Sequence, residues 1–345
     1  MGARGFGSDN HAGALPEVLA AISGANEGHA GSYGHDALTE RVEGLFAERF
    51  GAQTRTFFAF NGSGANVVAL RAMCRPWEGV ICAETSHLEV DECGAAEAIA
   101  GLKLLTVPTP DGKLTPELIA GRVTRVGDEH AVQARVVSVT QPTELGTLYT
   151  LDELAAITAT ARDHGLLVHL DGARFLNAVA ALGCSFADLA RGVDVISFGG
   201  TKAGLLYGEA IVILSPALAD GLLYLRKQTL QLASKMRFIA AQFEALLDDD
   251  TGVRAVANAN AMARRLADAV RDADGVTVTQ EPQANAVFAI LPPGAAEQLQ
   301  RDWAFYTWDE RTGEVRWMCA WDTTAEDVDT FAAAVAETAS ACLAR

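Results

Sequence analysis

The sequence predicts an α/β protein, because short apolar runs alternate along it with longer segments rich in alanine and leucine. The apolar runs are too short for helices and end at turn residues, as buried strands do. They cover residues 57–60, 80–83, 102–107, 136–140, 166–170, 193–198 and 210–214. Between them, residues 64–74, 151–163 and 187–191 are predicted to be helical. This alternation favours a mainly parallel sheet with helices on both faces.

The pattern changes at a polar break over residues 248–252, which follows a long predicted helical stretch at 216–247. Beyond the break come a predicted helix at 255–272, strands near 276–278, 286–291 and 314–320, and a terminal helix from Ala325. We therefore predict a large α/β domain with its N-terminal segment over residues 1–247, and a smaller C-terminal α+β domain over residues 248–345.

The composition limits the classes of partner. Half of the 345 residues are hydrophobic, which is enough for a large core, and the net charge of −17 argues against nucleic acid and anionic membranes. No apolar stretch is long enough to span a membrane, and the N-terminus lacks an apolar signal region. The six cysteines form no CxxC pair and the seven histidines have no ligand spacing such as HExxH. We expect a cytoplasmic protein with reduced thiols and no metal site.

Two charged residues follow two of the predicted strands. Asp171 comes directly after the run at 166–170, and Lys202 follows the run at 193–198 within the sequence SFGGTKAG. Open α/β sheets bind ligands at the carboxyl ends of their strands. A lysine amine can form a Schiff base with pyridoxal 5′-phosphate (PLP), and an aspartate can keep the pyridine nitrogen protonated. The pair predicts a PLP site, whereas Lys202 alone could equally be a solvated surface residue.

A glycine-rich turn, NGSGAN from Asn61, lies between a predicted strand and a predicted helix. Backbone amides at a helix N-terminus and a serine hydroxyl can hold a phosphate, so Gly62 and Ser63 are candidate phosphate ligands. The alternative is a plain turn. With Asp171 and Lys202 following in order along the chain, phosphate binding becomes the favoured interpretation.

Three further sites have both a functional and a structural interpretation. His87 follows the run at 80–83, where its ring could stack on a cofactor, although a lone histidine is more often a surface or core residue. The acidic pair after it, Asp91 and Glu92, is typical of a helix N-terminus. Arg174 has the planar fork that suits a carboxylate, or it pairs only with Asp171. The segment SDNHAG from Ser8 is typical of a helix-capping turn.

Nine short segments together make the chain similar to a known family. They are SDNHAG from Ser8, SYGHDALT from Ser32, NGSGAN from Asn61, SHLEVDECGA from Ser86, TQPTELGTLYT from Thr140, HLDGAR from His169, SFGGTKAG from Ser197, SKMRF from Ser234 and VRWMCAWDTTAEDV from Val315. Through them the chain resembles the threonine aldolase/β-eliminating lyase family of fold-type I PLP enzymes, and most closely its low-specificity L-threonine aldolases. The resemblance covers nearly the whole chain.

The resemblance implies a role for each matched residue. Lys202 would carry PLP as a Schiff base, Asp171 would contact the pyridinium nitrogen, and His87 would stack on the ring. Gly62 and Ser63 would bind the phosphate. Ser8, Arg174 and Arg316 would bind the substrate carboxylate, and Arg174 would contact the cofactor as well. The Tyr33 and Arg237 segments match elements that reach a neighbouring subunit's site, where Tyr33 would bind the substrate. The family therefore implies a homo-oligomer, a dimer or tetramer, with shared active sites.

The chain departs from the family pattern at two places. Many relatives have a histidine in the loop after the strand at 136–140, where this chain has Gln141-Pro142-Thr143-Glu144. The base that acts on the substrate hydroxyl is then Glu144, His87 or a water. Trp317 and Trp321 flank the predicted carboxylate site, so we expect an altered pocket that accepts phenylserine.

The resemblance implies cleavage of L-threonine, L-allo-threonine and related β-hydroxy-α-amino acids to glycine and an aldehyde. Another PLP-dependent reaction on the same fold, such as β-elimination, racemisation or transamination, is the first alternative. A non-catalytic protein that kept the fold is the second.

Overall fold

The computed structural model describes residues 5–344. Its larger sheet has seven strands: β1 (Arg55–Ala59), β2 (Glu78–Ala83), β3 (Lys103–Val107), β4 (Gln133–Thr140), β5 (Leu167–Gly172), β6 (Val195–Gly199) and β7 (Glu209–Ile213). They are arranged in the order β1-β7-β6-β5-β4-β2-β3, and only β7 runs antiparallel to its neighbours. Each predicted strand is present, and the prediction of a mainly parallel sheet is confirmed.

The helices alternate with these strands and then continue into the C-terminal part. They are α1 (Pro16–Gly24), α2 (Ala37–Phe50), α3 (Gly62–Met73), α4 (His87–Val90), α5 (Ala95–Ala98), α6 (Pro116–Arg122), α7 (Leu151–Asp163), α8 (Phe175–Leu182), α9 (Phe186–Leu189), α10 (Leu222–Gln228), α11 (Arg237–Leu247), α12 (Thr251–Val270), α13 (Ala295–Leu299) and α14 (Ala325–Leu343). Within residues 5–344, no helix has the length and apolar character needed to cross a bilayer.

A second, antiparallel sheet lies in the C-terminal part. It consists of β8 (Thr277–Val278), β9 (Ala286–Ile290), β10 (Tyr306–Asp309) and β11 (Glu314–Met318), in the order β10-β11-β9-β8. Trp317 and Phe331 are fully buried in its core, and Phe6 from the N-terminus stacks on Phe331 with ring centroids 4.4 Å apart. The division of the chain at residue 247 stays a prediction, but the residues around Phe6 pack with the smaller core rather than the larger one.

The long helix predicted over residues 216–247 is wrong. The structure has a 3-10 turn at Pro216–Ala219, then α10, a non-helical segment at residues 229–236, and α11. Leu230 adopts a φ of 63°, which a right-handed helix cannot contain. The strand β10 was not predicted, because it is only four residues long and is not an apolar run, although Tyr306, Thr307 and Trp308 are residue types common in strands. Its extended form depends on pairing with β11.

The strand order brings several loops to one edge of the larger sheet. β4, β5 and β6 are adjacent and parallel, with Thr140 beside Asp171 and Asp171 beside Ser197. β1 is also parallel to β6, because both are antiparallel to β7. The carboxyl ends of these strands therefore lie together, and the loops after them surround one cavity.

Candidate active site

The cavity at this edge has two adjoining lobes, with volumes of about 370 Å³ and about 60 Å³. Both lobes are lined by Gly62, Asn66, His87, Asp171 and Lys202. The larger lobe also contacts the N-terminus of α3, and the smaller one reaches the loop after β4. The structure thus brings together, at one cavity, the predicted residues that follow four different strands.

The N-terminus of α3 leaves backbone amides free at the larger lobe. Asn61 caps the helix, and its side-chain oxygen accepts a hydrogen bond from the Gly64 amide at 2.8 Å. The amides of Gly62 and Ser63 have no partner within the helix, because the first turn lacks preceding carbonyls. A Cβ at position 64 would overlap the end of the Gln231 side chain, which would have to move. This turn can hold an anion.

Asp171 is buried at the end of β5 and is held by two donors. Its Oδ1 accepts from the Ala173 amide at 3.1 Å, and its Oδ2 accepts from the Asn66 side chain at 2.9 Å. His169, two residues earlier on the same face of β5, is buried between the hydroxyls of Ser138 and Ser197. Burial lowers the pKa of His169 to about 4, so a neutral imidazole lies beneath the Asp171 carboxylate.

Lys202 lies in a 3-10 turn directly after β6, with its side chain at both lobes of the cavity. The positive charge of Arg174, followed by burial, lowers the pKa of Lys202 below its ordinary value. Glu209 holds the preceding turn, because its Oε2 accepts from the Gly200 amide at 2.7 Å. An amine with a lowered pKa is a better nucleophile near neutral pH.

His87 and Glu92 form a pair at the cavity wall. The Nδ1 atom of His87 is 2.9 Å from Oε1 of Glu92, whose side chain is fully buried. The same Glu92 oxygen accepts from the Asn66 side chain at 2.7 Å. The interpretation of Glu92 as a helix N-terminal carboxylate is wrong, since it faces inward to the cavity wall and α5 begins three residues later, at Ala95.

Glu144 lines the smaller lobe, as expected for a group acting on the substrate. Its Oε1 accepts from the His87 backbone amide at 2.7 Å. Burial raises the pKa of the Glu144 carboxyl to about 7, and the nearby charge of Asp171 acts in the same direction. The carboxyl can therefore both accept and release a proton near neutral pH.

Arg174 is held by Asp9, and the alternative that it pairs with Asp171 is wrong. The guanidinium Nε and Nη2 atoms lie 2.6 Å and 3.0 Å from the two oxygens of Asp9, and Nη2 also contacts the sulfur of Met318. Asn285 donates to Asp9 as well, at 3.1 Å. The N-terminal segment, the larger sheet and the smaller one therefore meet beside the cavity.

Arg316 lies near Arg174 but does not line either lobe. Its guanidinium is 4.6 Å from the ring centroid of Trp308, and no ion pair to Arg316 occurs among residues 5–344. Its Nε atom is buried without a hydrogen-bond partner in the same part of the chain. Burial, and then the charge of Arg174, lowers the pKa of Arg316 to about 10. A half-buried guanidinium whose Nε atom has no partner among residues 5–344 suits an anionic ligand.

Besides Arg316, three further residues that the resemblance implicated lie outside the cavity lining. Ser8 caps the 3-10 turn at Asp9–His11, where its hydroxyl accepts from the Asn10 amide at 3.2 Å, in agreement with the capping interpretation. Tyr33 is exposed, with a φ of 61°, and Arg237 bonds the carbonyl of Gly28 at 3.2 Å. In the part of the chain that the structure describes, neither Tyr33 nor Arg237 lines the cavity.

The expectation that Trp317 and Trp321 shape the substrate pocket is wrong. Trp317 has no exposed surface and packs against Phe331 in the core of the smaller sheet. Neighbouring residues of a strand point to opposite faces, so Trp317 points away from the side chain of Arg316. Trp321 packs against the larger core, and its indole nitrogen donates to the carbonyl of Gly13 at 2.9 Å.

Sequence reasoning also missed polar residues around the cavity. They are Asp9, Asn66, Glu92, Ser197, Tyr207 and Glu209. Asn66 had a usable signal, because it stands in the first two turns of the helix after the glycine turn. Asp9 is brought there from a distant segment, whereas Glu92, Ser197, Tyr207 and Glu209 lie within seven positions of His87 or Lys202 and reach the cavity through the local turns. No group of three or more metal-binding side chains is present in the described part of the chain.

These features define an α/β enzyme with a lysine-centred site at the carboxyl edge of its sheet. The chain belongs to the β-eliminating lyase family, whose profile matches residues 5–292. It is 48% identical to a low specificity L-threonine aldolase of Pseudomonas aeruginosa, over 94% of both chains, and 45% identical to another from Pseudomonas sp., over 97% of this chain and 98% of that one. The structure of Leishmania major threonine aldolase superposes with a TM-score of 0.92 at 31% identity, covering 97% of this chain and 99% of that chain.

The comparisons confirm three predictions. The chain is in the predicted family, it has the fold-type I architecture of PLP enzymes, and it is a lyase. The family as a whole is PLP-dependent. The roles of the individual site residues stay predictions.

Proposed function

We propose that this chain is a PLP-dependent aldehyde-lyase that cleaves L-threonine, L-allo-threonine and related β-hydroxy-α-amino acids to glycine and an aldehyde. The similarity at 45–48% identity to two low specificity L-threonine aldolases, over nearly the full length, carries the proposal. The cavity supports it, because Lys202, Asp171 and the N-terminus of α3 converge there.

The donor set of the cavity fits PLP. The Lys202 amine has a lowered pKa, the amides of Gly62 and Ser63 are free to bind a phosphate, and the buried Asp171 carboxylate can pair with a protonated ring nitrogen. His87 lines the same cavity and would lie against the ring. We propose that the cofactor is bound covalently, as a Schiff base to Lys202. When bound, PLP supplies an electron sink for the pair left on the substrate Cα.

The residues of this chain would orient the substrate and move its proton. Arg316 and Arg174, whose Nη1 atom has no hydrogen bond among residues 5–344, would bind the substrate carboxylate together with Ser8. Holding the carboxylate decides which bond at Cα stands perpendicular to the ring, and so favours cleavage of Cα–Cβ. The β-hydroxyl proton would pass to His87, Glu144 or a water. Glu144 suits this step because the pKa of its carboxyl is about 7.

We also propose a cytoplasmic homo-oligomer, a dimer or tetramer, in which Tyr33 and Arg237 act in a neighbouring subunit's site. Both residues lie at the surface of one chain and outside its own cavity. Phe60 and Tyr207 line the larger lobe yet are partly exposed, and Leu206 beside them is 54% exposed. Apolar side chains at the rim of a polar cavity favour a protein partner there.

Purified protein loaded with PLP is expected to release an aldehyde from both L-threonine and L-allo-threonine. The reason is the similarity to two low specificity L-threonine aldolases, together with an acid–base carboxyl at the smaller lobe, Glu144, whose pKa is about 7. Hydrophobic pockets distinguish a methylene by only ~1–3 kcal/mol, so phenylserine is expected to be cleaved as well. Chiral substrates with coupled aldehyde reduction measure this.

The outcomes of this screen separate the proposals. Cleavage of a single epimer contradicts loose specificity alone. Absence of aldehyde from every β-hydroxy amino acid contradicts the aldolase proposal. Pyruvate or keto-acid formation would then indicate elimination or transamination, and absence of any absorbance from bound PLP would indicate a non-catalytic protein.

Replacing Arg316 by lysine is expected to raise the KM for threonine about tenfold or more, because lysine keeps the charge but loses the planar fork and the stacking on Trp308. The absorbance of bound PLP should not change. Arg311→Lys, at an exposed position of the β10–β11 turn, is the matched control. A normal KM together with weak PLP binding would place Arg316 at the phosphate instead.

A further inference from the structure

We propose that Glu92 is a positioning residue that fixes the tautomer and orientation of His87 and, through Asn66, ties His87 to Asp171. The inference deepens the proposed function and depends on it for its catalytic consequence. It concerns a residue that lines only the smaller lobe, and whose fully buried side chain would act on the reaction through His87.

The first step is the hydrogen bond between His87 and Glu92. A carboxylate only accepts, so the 2.9 Å contact requires the proton on Nδ1 of His87. Nε2 has no hydrogen-bond partner among residues 5–344, and it is the nitrogen left to face the cavity. Fixing one ring nitrogen as a donor decides what the other can do. Glu92 therefore presents Nε2 of a neutral His87 as an acceptor.

The second step is the position of Asn66 between two carboxylates. Its amide nitrogen donates to Glu92 at 2.7 Å and to Asp171 at 2.9 Å, which uses both of its hydrogens. Asn66 is 2% exposed and Glu92 is 6% exposed, so neither bond is replaced easily by water. The amide holds two buried carboxylates at fixed positions, and both line the smaller lobe.

Several groups around His87 change the pKa of its imidazole, and Glu92 has the largest effect. Glu92 is the largest influence and raises the pKa of His87, and Asp171 acts in the same direction. Burial and the charge of Lys202 oppose them. Glu144 contacts the His87 backbone amide rather than the ring. Among these groups, only Glu92 is hydrogen-bonded to the imidazole.

Glu92→Gln tests the inference, because the glutamine oxygen can still accept from both donors while the charge is lost. In the full-length protein, with and without PLP, histidine-selective NMR should show a lower pKa for His87 than in the wild type. His87→Gln assigns the resonance among the seven histidines. With threonine as substrate, kcat should fall at least about fivefold while KM stays within about twofold. Glu89→Gln is the matched control, because Glu89 is exposed and lies in α4, the helical turn that begins at His87.

The wild-type protein provides a test that needs no variant. The ¹⁵N shifts of His87 above its pKa should show a protonated Nδ1 and a bare Nε2, the reverse of the usual preference of an exposed histidine. An Nε2–H tautomer, or a His87 pKa that does not change in Glu92→Gln, overturns the inference. If the wild type releases no aldehyde from any substrate, the proposed function fails while the tautomer and pKa results still decide the role of Glu92.

Discussion

Replacing Lys202 by alanine is expected to remove nearly all turnover and the absorbance of covalently bound PLP. Lys202 is the lysine that lines both lobes, and Arg174 and burial lower its pKa, which makes the amine available as a nucleophile. No described side chain at the cavity offers a second amine, so the rate should fall by about a thousandfold or more. Absorbance spectra and steady-state glycine formation measure the two effects.

The matched control for this prediction is Lys103→Ala, at the start of the edge strand β3 and exposed. It removes the same charge far from the cavity. Added primary amines should restore part of the turnover of Lys202→Ala, because the cavity keeps its shape. Wild-type absorbance and rate in Lys202→Ala would show that another group carries the cofactor.

Replacing Asp171 by asparagine is expected to reduce kcat at least about tenfold, because a buried charge-assisted hydrogen bond contributes roughly 1.5–3 kcal/mol. Asparagine keeps the shape but removes the charge that pairs with a protonated ring nitrogen. The Asp171 carboxylate accepts from two donors, the Ala173 amide and the Asn66 side chain. In asparagine an NH₂ group would face one of these two donors and leave it without an acceptor. Some PLP binding should remain, because the amides at the N-terminus of α3 are unchanged.

Stopped-flow and steady-state rates measure this effect, and PLP titration separates it from loss of cofactor. Asp163→Asn, at the exposed end of α7, is the matched control. An unchanged kcat at saturating PLP would remove Asp171 from the mechanism. If Asp171→Asn lowers the free energy of unfolding but not kcat, Asp171 serves only to hold Asn66 and the turn at Ala173 in place.

Most of the larger sheet could be predicted from the sequence, because its strands are buried on both faces and appear as short apolar runs. The Lys202 and Asp171 positions followed from the same pattern, since each comes directly after such a run. The segment at 229–236 could not be predicted, because alanine and leucine content favours a helix and only a local φ above zero at Leu230 breaks it. β10 could not be predicted either, because pairing with β11 makes it a strand.

The sequence by itself determined the sheet, the order of the chemical groups along the chain and the family resemblance. Only the tertiary structure decided which groups meet. Asp9 and Arg174 are 165 positions apart in sequence. The hydrogen bond between His87 and Glu92 forms only when the turn between them folds inward. The direction in which each side chain points decided the rest: Trp317 turns into a core, whereas the Nε atom of Arg316 beside it has no hydrogen-bond partner among residues 5–344. Hydrogen bonds and burial depend on distance and direction in space, which local sequence patterns do not encode.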